Sequence, residues 1–109
     1  MKNLTEDEID LHAEKLKQLH KVSEVNVINV TVGEDVFHYF IKPADRMAVQ
    51  KAMIHLMREE IIDAGAVIVE RALIAGDTDL LNTNTVAFNS VAMQAVGFVE
   101  MYNTTTKKK

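Results

Sequence analysis

The chain has 109 residues, of which 48% are hydrophobic and 26% charged, a balance that fits one globular domain and excludes a disordered chain. Its net charge is −4, and setting aside the terminal Lys107, Lys108 and Lys109 leaves −7. The body therefore lacks the basic stripe that a phosphate backbone attracts, and nucleic-acid binding is not expected.

Cysteine is absent, which excludes disulfides and thiolate metal sites. No stretch approaches about 18 apolar residues, so no membrane span is expected. The acidic opening MKNLTEDEIDLH does not read as a signal peptide.

The first element is a helix over about Thr5 to Lys21. Thr5 can cap it, and Glu8 three residues on completes a capping box. Ile9, Ala13, Leu16 and Leu19 give it a narrow apolar stripe on an otherwise charged surface. The run EVNVINVTV then alternates at strand spacing, with Ile28, Val30 and Val32 on one face. Val25 and Val27 sit in the opposite phase, which leaves room for a bulge near Asn26–Val27.

Gly33 to Asp35 make a short hairpin loop, and VFHYFIK is the return strand. Phe37, Tyr39 and Ile41 share one face of it, and Val36, His38 and Phe40 the other. Both faces are largely apolar, so this strand is expected to be covered on both sides.

Pro43 stops the strand, because it has no N–H to give to a ladder. Asp45 is a good N-cap for the next helix. Val49, Ala52, Met53, Leu56 and Met57 recur at helical spacing, the charged run Arg58 to Glu60 interrupts, and Ile61, Ala64, Gly65, Ile68 and Ala72 resume the stripe. The spacing predicts two helices, or one kinked near Glu59, with Gly76 after Ile74 as the stop. DTDLLNTNT reads as a loop, since its Asp, Asn and Thr side chains compete for local hydrogen bonds.

The last helix is predicted over Thr85 to Tyr102. Phe88, Val91, Ala92, Ala95, Phe98, Val99 and Tyr102 form its main stripe, while Val86, Met93, Val96 and Met101 lie off it. A helix apolar nearly all round belongs in an interior, and a chain this short can hardly enclose one. Part of it is therefore expected to face another protein. The order is α+β: an N-terminal helix, a β-hairpin, then three helices packed against it. A single domain spans 1–109, with 1–4 and 103–109 as flexible tails.

Chemistry-bearing patterns are sparse. His55 and Glu59 are one helical turn apart, but two ligands are too few for a metal site. The segment from Asp77 superficially resembles a calcium loop, yet Asn82 and Phe88 stand where glycine and glutamate are required. His38 lies between apolar neighbours with no nucleophile or base beside it in the sequence. His12 and His20 read as solvated, Arg46 as surface charge, and the four glycines are too scattered for a phosphate loop. A small metal-dependent enzyme using His38, His55, Glu59 or Asp77 is the weaker alternative. No catalytic residue, cofactor or metal ligand is assigned.

The pieces Tyr39-Phe40-Ile41-Lys42-Pro43, the helix after Asp45, Ile74-Ala75-Gly76-Asp77 and the helix from Thr85 resemble a group of short proteins encoded in phage and prophage structural-gene regions. The likeness covers about residues 36 to 102. These proteins are described as tail-assembly-chaperone-like or as small virion-associated proteins, notably in Bacteroides-type and crAss-like phages.

The resemblance implies a non-enzymatic protein that binds other phage structural proteins, either leaving the finished particle or staying in it. It would be found in the host bacterial cytoplasm or the virion. A homo-oligomer is left open. Phe37, Tyr39, Phe40, Val86, Met93, Val96 and Met101 are the residues expected to meet a partner, with the domain's own core as the competing place for the three aromatics.

Overall fold

The computed structural model describes residues 1–99. Its centre is strand β2, Asp35–Ile41, which pairs antiparallel with β1, Asn26–Val32, through the two-residue turn Gly33–Glu34. Gly33 takes a positive φ of 63° and Glu34 does not, the pattern of a type II′ turn with glycine first. The β1–β2 register runs unbroken from Asn26 opposite Ile41 to Val32 opposite Asp35, so the bulge anticipated at Asn26–Val27 is absent.

The fold is α+β, as the sequence indicates, but with more elements. Helix α1 (Glu6–His20) precedes the hairpin; α2 (Arg46–Met57), α3 (Ile61–Ala72), β3 (Leu73–Ala75), α4 (Thr78–Thr83) and α5 (Thr85–Val96) come after it. The sheet order is β1-β2-β3, all antiparallel, with a register irregularity between Phe40 and Ile41 where β3 joins.

Three boundaries differ from the sequence reading. The third helix ends at Ala72, not near Ile74, because Leu73–Ala75 adds to the sheet. Residues 78–83 are a short helix where a loop is expected: Asp77 accepts from Leu80 N at 3.2 Å, so the polar side chain caps a helix rather than a turn. Helix α5 ends at Val96, with Gly97 as its cap; Met101, Tyr102 and the expected tail 103–109 lie outside the described residues.

Helices α1, α2, α4 and α5 each start on a side-chain cap, and α3, after Glu60, has none. Thr5 Oγ1 accepts from Glu8 N, and Glu8 Oε1 accepts from Thr5 N, both at 3.2 Å, which is the capping box. Asp45 accepts from Ala48 N at 2.8 Å, and Asn84 accepts from Ala87 N at 3.1 Å. Between α2 and α3 the chain turns at Glu59, which adopts a positive φ of 61°.

Helix α3 packs against both α2 and α5, and α5 also rests on β1. One face of the sheet (Ile28, Val30, Tyr39, Ile41) joins Ile68, Val69, Val91 and Ala95 in the core. On the other face Leu4 N donates to the His38 ring and α1 reaches Phe40. There the His12 ring lies 6.2 Å from the Phe40 ring, so His12 is part of a packing contact rather than solvated.

Residues 1–4 are not a free tail. Lys2 bridges to Phe37, Asn3 N donates to Val36 O at 2.7 Å, and His38 N donates to Met1 O at 3.1 Å. Within α1 no residue is buried; Ile9 and Leu16 are half-buried, and Leu19 is exposed, outside the expected stripe.

The α3–α5 crossing is unusually close. A Cβ on Gly65 would overlap the backbone carbonyl of Ala92, so only glycine lets the two helices meet there. Gly65→Ala would gain up to about 1 kcal/mol of helix propensity, but overpacking costs about 1–3 kcal/mol. Net destabilisation, read as a lower denaturant midpoint, is the expected result. A midpoint that rises would disprove the close contact.

Candidate functional site

The residues expected to meet a partner separate into two groups. Tyr39 and Phe40 are fully buried and Phe37 is half-buried against the core, so the aromatic cluster belongs to the domain's own interior and is not a surface anchor. The reason is the two-sided cover over β2. Val96 is half-buried against the same core. Val86 and Met93, two helical turns apart on α5, are exposed at 75% and 57%. Met101 lies outside the described residues.

A second apolar surface escapes the sequence reading. Met47, Ile54 and Met57 of α2 and Ile61 of α3 are all exposed, Met57 at 82%. The residues of α2 that are buried are Ala48 and Ala52. The signal is present as apolar residues seven apart, Met47, Ile54 and Ile61, in a phase distinct from that of Ala48 and Ala52. Gln50, Lys51 and Arg58 are exposed in the same stretch and give it polar neighbours.

His38, Tyr39, Asp45 and Asp77 make structural hydrogen bonds. His38 is buried, its Nε2 accepts from Leu4 N at 3.0 Å, and its Nδ1 meets Asn29 Oδ1 at 2.6 Å. Accepting at Nε2 requires the neutral ring, with the proton on Nδ1 donated to Asn29. Burial pushes the His38 pKa below its ordinary value, helped by the positive charge of the N-terminal amine.

Tyr39 Oη donates to Asp77 O at 2.7 Å, and burial, with the nearby Asp77 charge, raises its pKa to about 12. Asp77 and Asn84 are helix caps. Asp45 is held below the usual carboxylate range chiefly by the Ala48 N–H, with a smaller share from Arg71 at 3.4 Å.

One polar cluster could hold an ion. The α2–α3 turn brings His55, Glu60 and Asp63 together, with one ligand atom of each within 4.8 Å of the others. The His55 Nδ1 to Glu60 Oε1 distance is 3.1 Å. Glu59, the residue paired with His55 in the sequence reading, is exposed at the turn itself and is not among the three. Glu60 and Asp63 take its place because the chain reverses there. The three side chains are half-buried or exposed, an arrangement carboxylates and histidines commonly adopt with water alone.

A groove of about 440 Å³ runs between α3, α4 and α5, lined by Val69, Leu73, Leu81 and Phe88 with Glu70 and Asn82 at its polar side. No described helix is long and apolar enough to cross a membrane. Comparison with protein-family models, with curated proteins and with solved structures gives no match to this chain.

The His38 contact has a pH consequence with a definite sign. Its folded pKa lies below the ordinary histidine value of 6.5, so the unfolded chain binds the proton first, and the contribution of His38 is complete above that value and falls as pH drops below it. Amide exchange at Leu4 is expected to accelerate between neutral pH and about pH 5, after correction for intrinsic exchange. The effect should vanish in His38→Gln. Protection that rises on acidification would refute the neutral-ring assignment.

Proposed function

We infer that this chain works by binding other protein chains and not by catalysis, in the role of a small assembly protein of a phage tail or virion. The observation that carries the binding reading is the exposed apolar surface of Met47, Ile54, Met57 and Ile61. Side chains of this kind gain about 1.5–3 kcal/mol each when moved from water into a fitted interface. Methionines also adapt their shape to a partner, which suits a protein that handles assembling subunits.

The phage setting comes from the resemblance alone. Within it, a tail-assembly chaperone leaves the particle and a minor virion component stays in it. A metal-dependent role would use His55 with Glu60 and Asp63. Elemental analysis of purified protein tests it, and stoichiometric metal is the result that would move the reading there.

The binding surface is tested by Ile54→Asp with Met57→Asp. Both positions are exposed, so the variant should fold. Capture of tail or capsid components by the variant is expected to fall at least tenfold, about 1.4 kcal/mol. Equal capture by the native and variant chains would remove this surface from the proposal, and no capture by either would remove the function. Mass spectrometry of purified particles then separates the chaperone from the resident component.

A further inference from the structure

The two edges of the sheet are built differently. One side of β2 is filled in pieces, by the Lys2 bridge and by the three-residue β3. Short pieces like these are poor templates for a further strand. The other edge is β1, seven residues long and paired without interruption. Asn26–Val32 holds no charge, no proline and no bulge, so it has none of the usual devices that keep sheet edges apart.

Hydrogen-bond directions show what this edge offers. Val36 O and His38 N bond the N-terminal segment, so the backbone groups of Val36 and His38 point away from β1. Direction alternates along an antiparallel ladder. Asp35, Phe37, Tyr39 and Ile41 therefore bond β1, through Val32, Val30, Ile28 and Asn26 opposite them. The N–H and C=O of Val27, Asn29 and Thr31 point outward, and among the described residues no backbone group bonds them.

We propose that β1 pairs antiparallel with β1 of a second copy about a two-fold axis through Asn29. In that register Val27 lies opposite Thr31 of the second copy, and every outward N–H and C=O of the three residues is satisfied. Axes through Ile28 or Val30 leave Thr31 or Val27 unpaired. Opposed residues share a face, so Ile28 meets Val30 of the second copy on the helix-covered side and the two cores run together. The strand sets no charge against its own copy within the paired residues.

Helix α5 rests on β1 and keeps Val86 and Met93 exposed. Pairing at β1 carries the two α5 helices toward each other and gives those side chains something to cover. A seven-residue ladder alone falls short of the roughly 800 Å² per partner of a stable interface, so α5 supplies the rest. The assembly closes at two copies, because each open edge consumes the other.

The proposal rests on the reading of this chain as one that acts by contact, but it uses a surface separate from Ile54 and Met57. The experiment is sedimentation equilibrium on the full chain from about 1 μM to several hundred μM. Thr31→Pro removes one outward N–H and leaves the β1–β2 ladder whole, a position where an edge strand tolerates proline. Thr31→Lys is the second variant, should proline disturb folding.

The native chain is expected to dimerise, and either variant to weaken the dimer at least tenfold with circular dichroism unchanged. Val86→Lys with Met93→Lys should weaken it too. Glu24 and Glu34 of the second copy approach beyond each end of the ladder, so added salt should tighten the dimer. A monomer across the whole range, or a dimer indifferent to Thr31→Pro and Thr31→Lys alike, overturns the proposal. A native dimer that still captures no phage component would overturn the function and leave the dimer standing.

Discussion

From His38 to Ile41 strand β2 is buried on both faces, and the rest of the molecule is arranged to keep it so. Tyr39, Phe40 and Ile41 follow one another in sequence and none is exposed at all. Successive strand residues point to opposite faces, so consecutive burial demands two roofs. The helices supply one. Leu4 and α1 reach the other, with Leu4 N on the His38 ring and His12 beside Phe40, while residues 1–3 pair with the outer edge of β2. The polar groups inside have partners as well. His38 is held from both ring nitrogens, Tyr39 reaches the Asp77 carbonyl, and Lys42 N donates to Ala72 O at 3.0 Å. Among the described residues no buried side-chain nitrogen or oxygen lacks a partner.

Local signals are the most legible part of the sequence. Thr5 with Glu8, Asp45 after Pro43, and the break at Glu59 each depend on residues within one turn of one another, and each stands where the pattern places it. The illegible parts depend on distant neighbours. Leu73–Ala75 has a helix's composition and continues a helical stripe; it becomes a strand because Phe40 and Ile41 present an edge to pair with. Met1–Leu4 looks like any polar terminus until Val36 and His38 provide partners for it. Asp77 and Asn84 read as loop residues because a capping side chain and a turn side chain are the same chemistry in different company.

The candidate surface is half legible for a related reason. The two apolar faces of VFHYFIK point to cover on both sides, but the sequence does not say whether that cover is the domain's own or a partner's. Phe40 would serve as an anchor on a one-layer sheet and is interior in this one. On α2 the small residues Ala48 and Ala52 take the inner face and leave the larger Met47 and Ile54 outside. That inverts the usual expectation that bulk goes inward.

The fastening of the N-terminal segment also constrains the order in which the chain can fold. Helix α1 has its own start and stop and can wind without help, and the β1–β2 hairpin closes over a two-residue turn. The bond from Leu4 to His38 spans 34 residues and needs the finished hairpin as its substrate. Closing a loop of that length is entropically uphill until the contact is made, so the clasp is the late event. Until that clasp closes, nothing from Leu4 holds α1, and with it the His12 ring, beside Phe40.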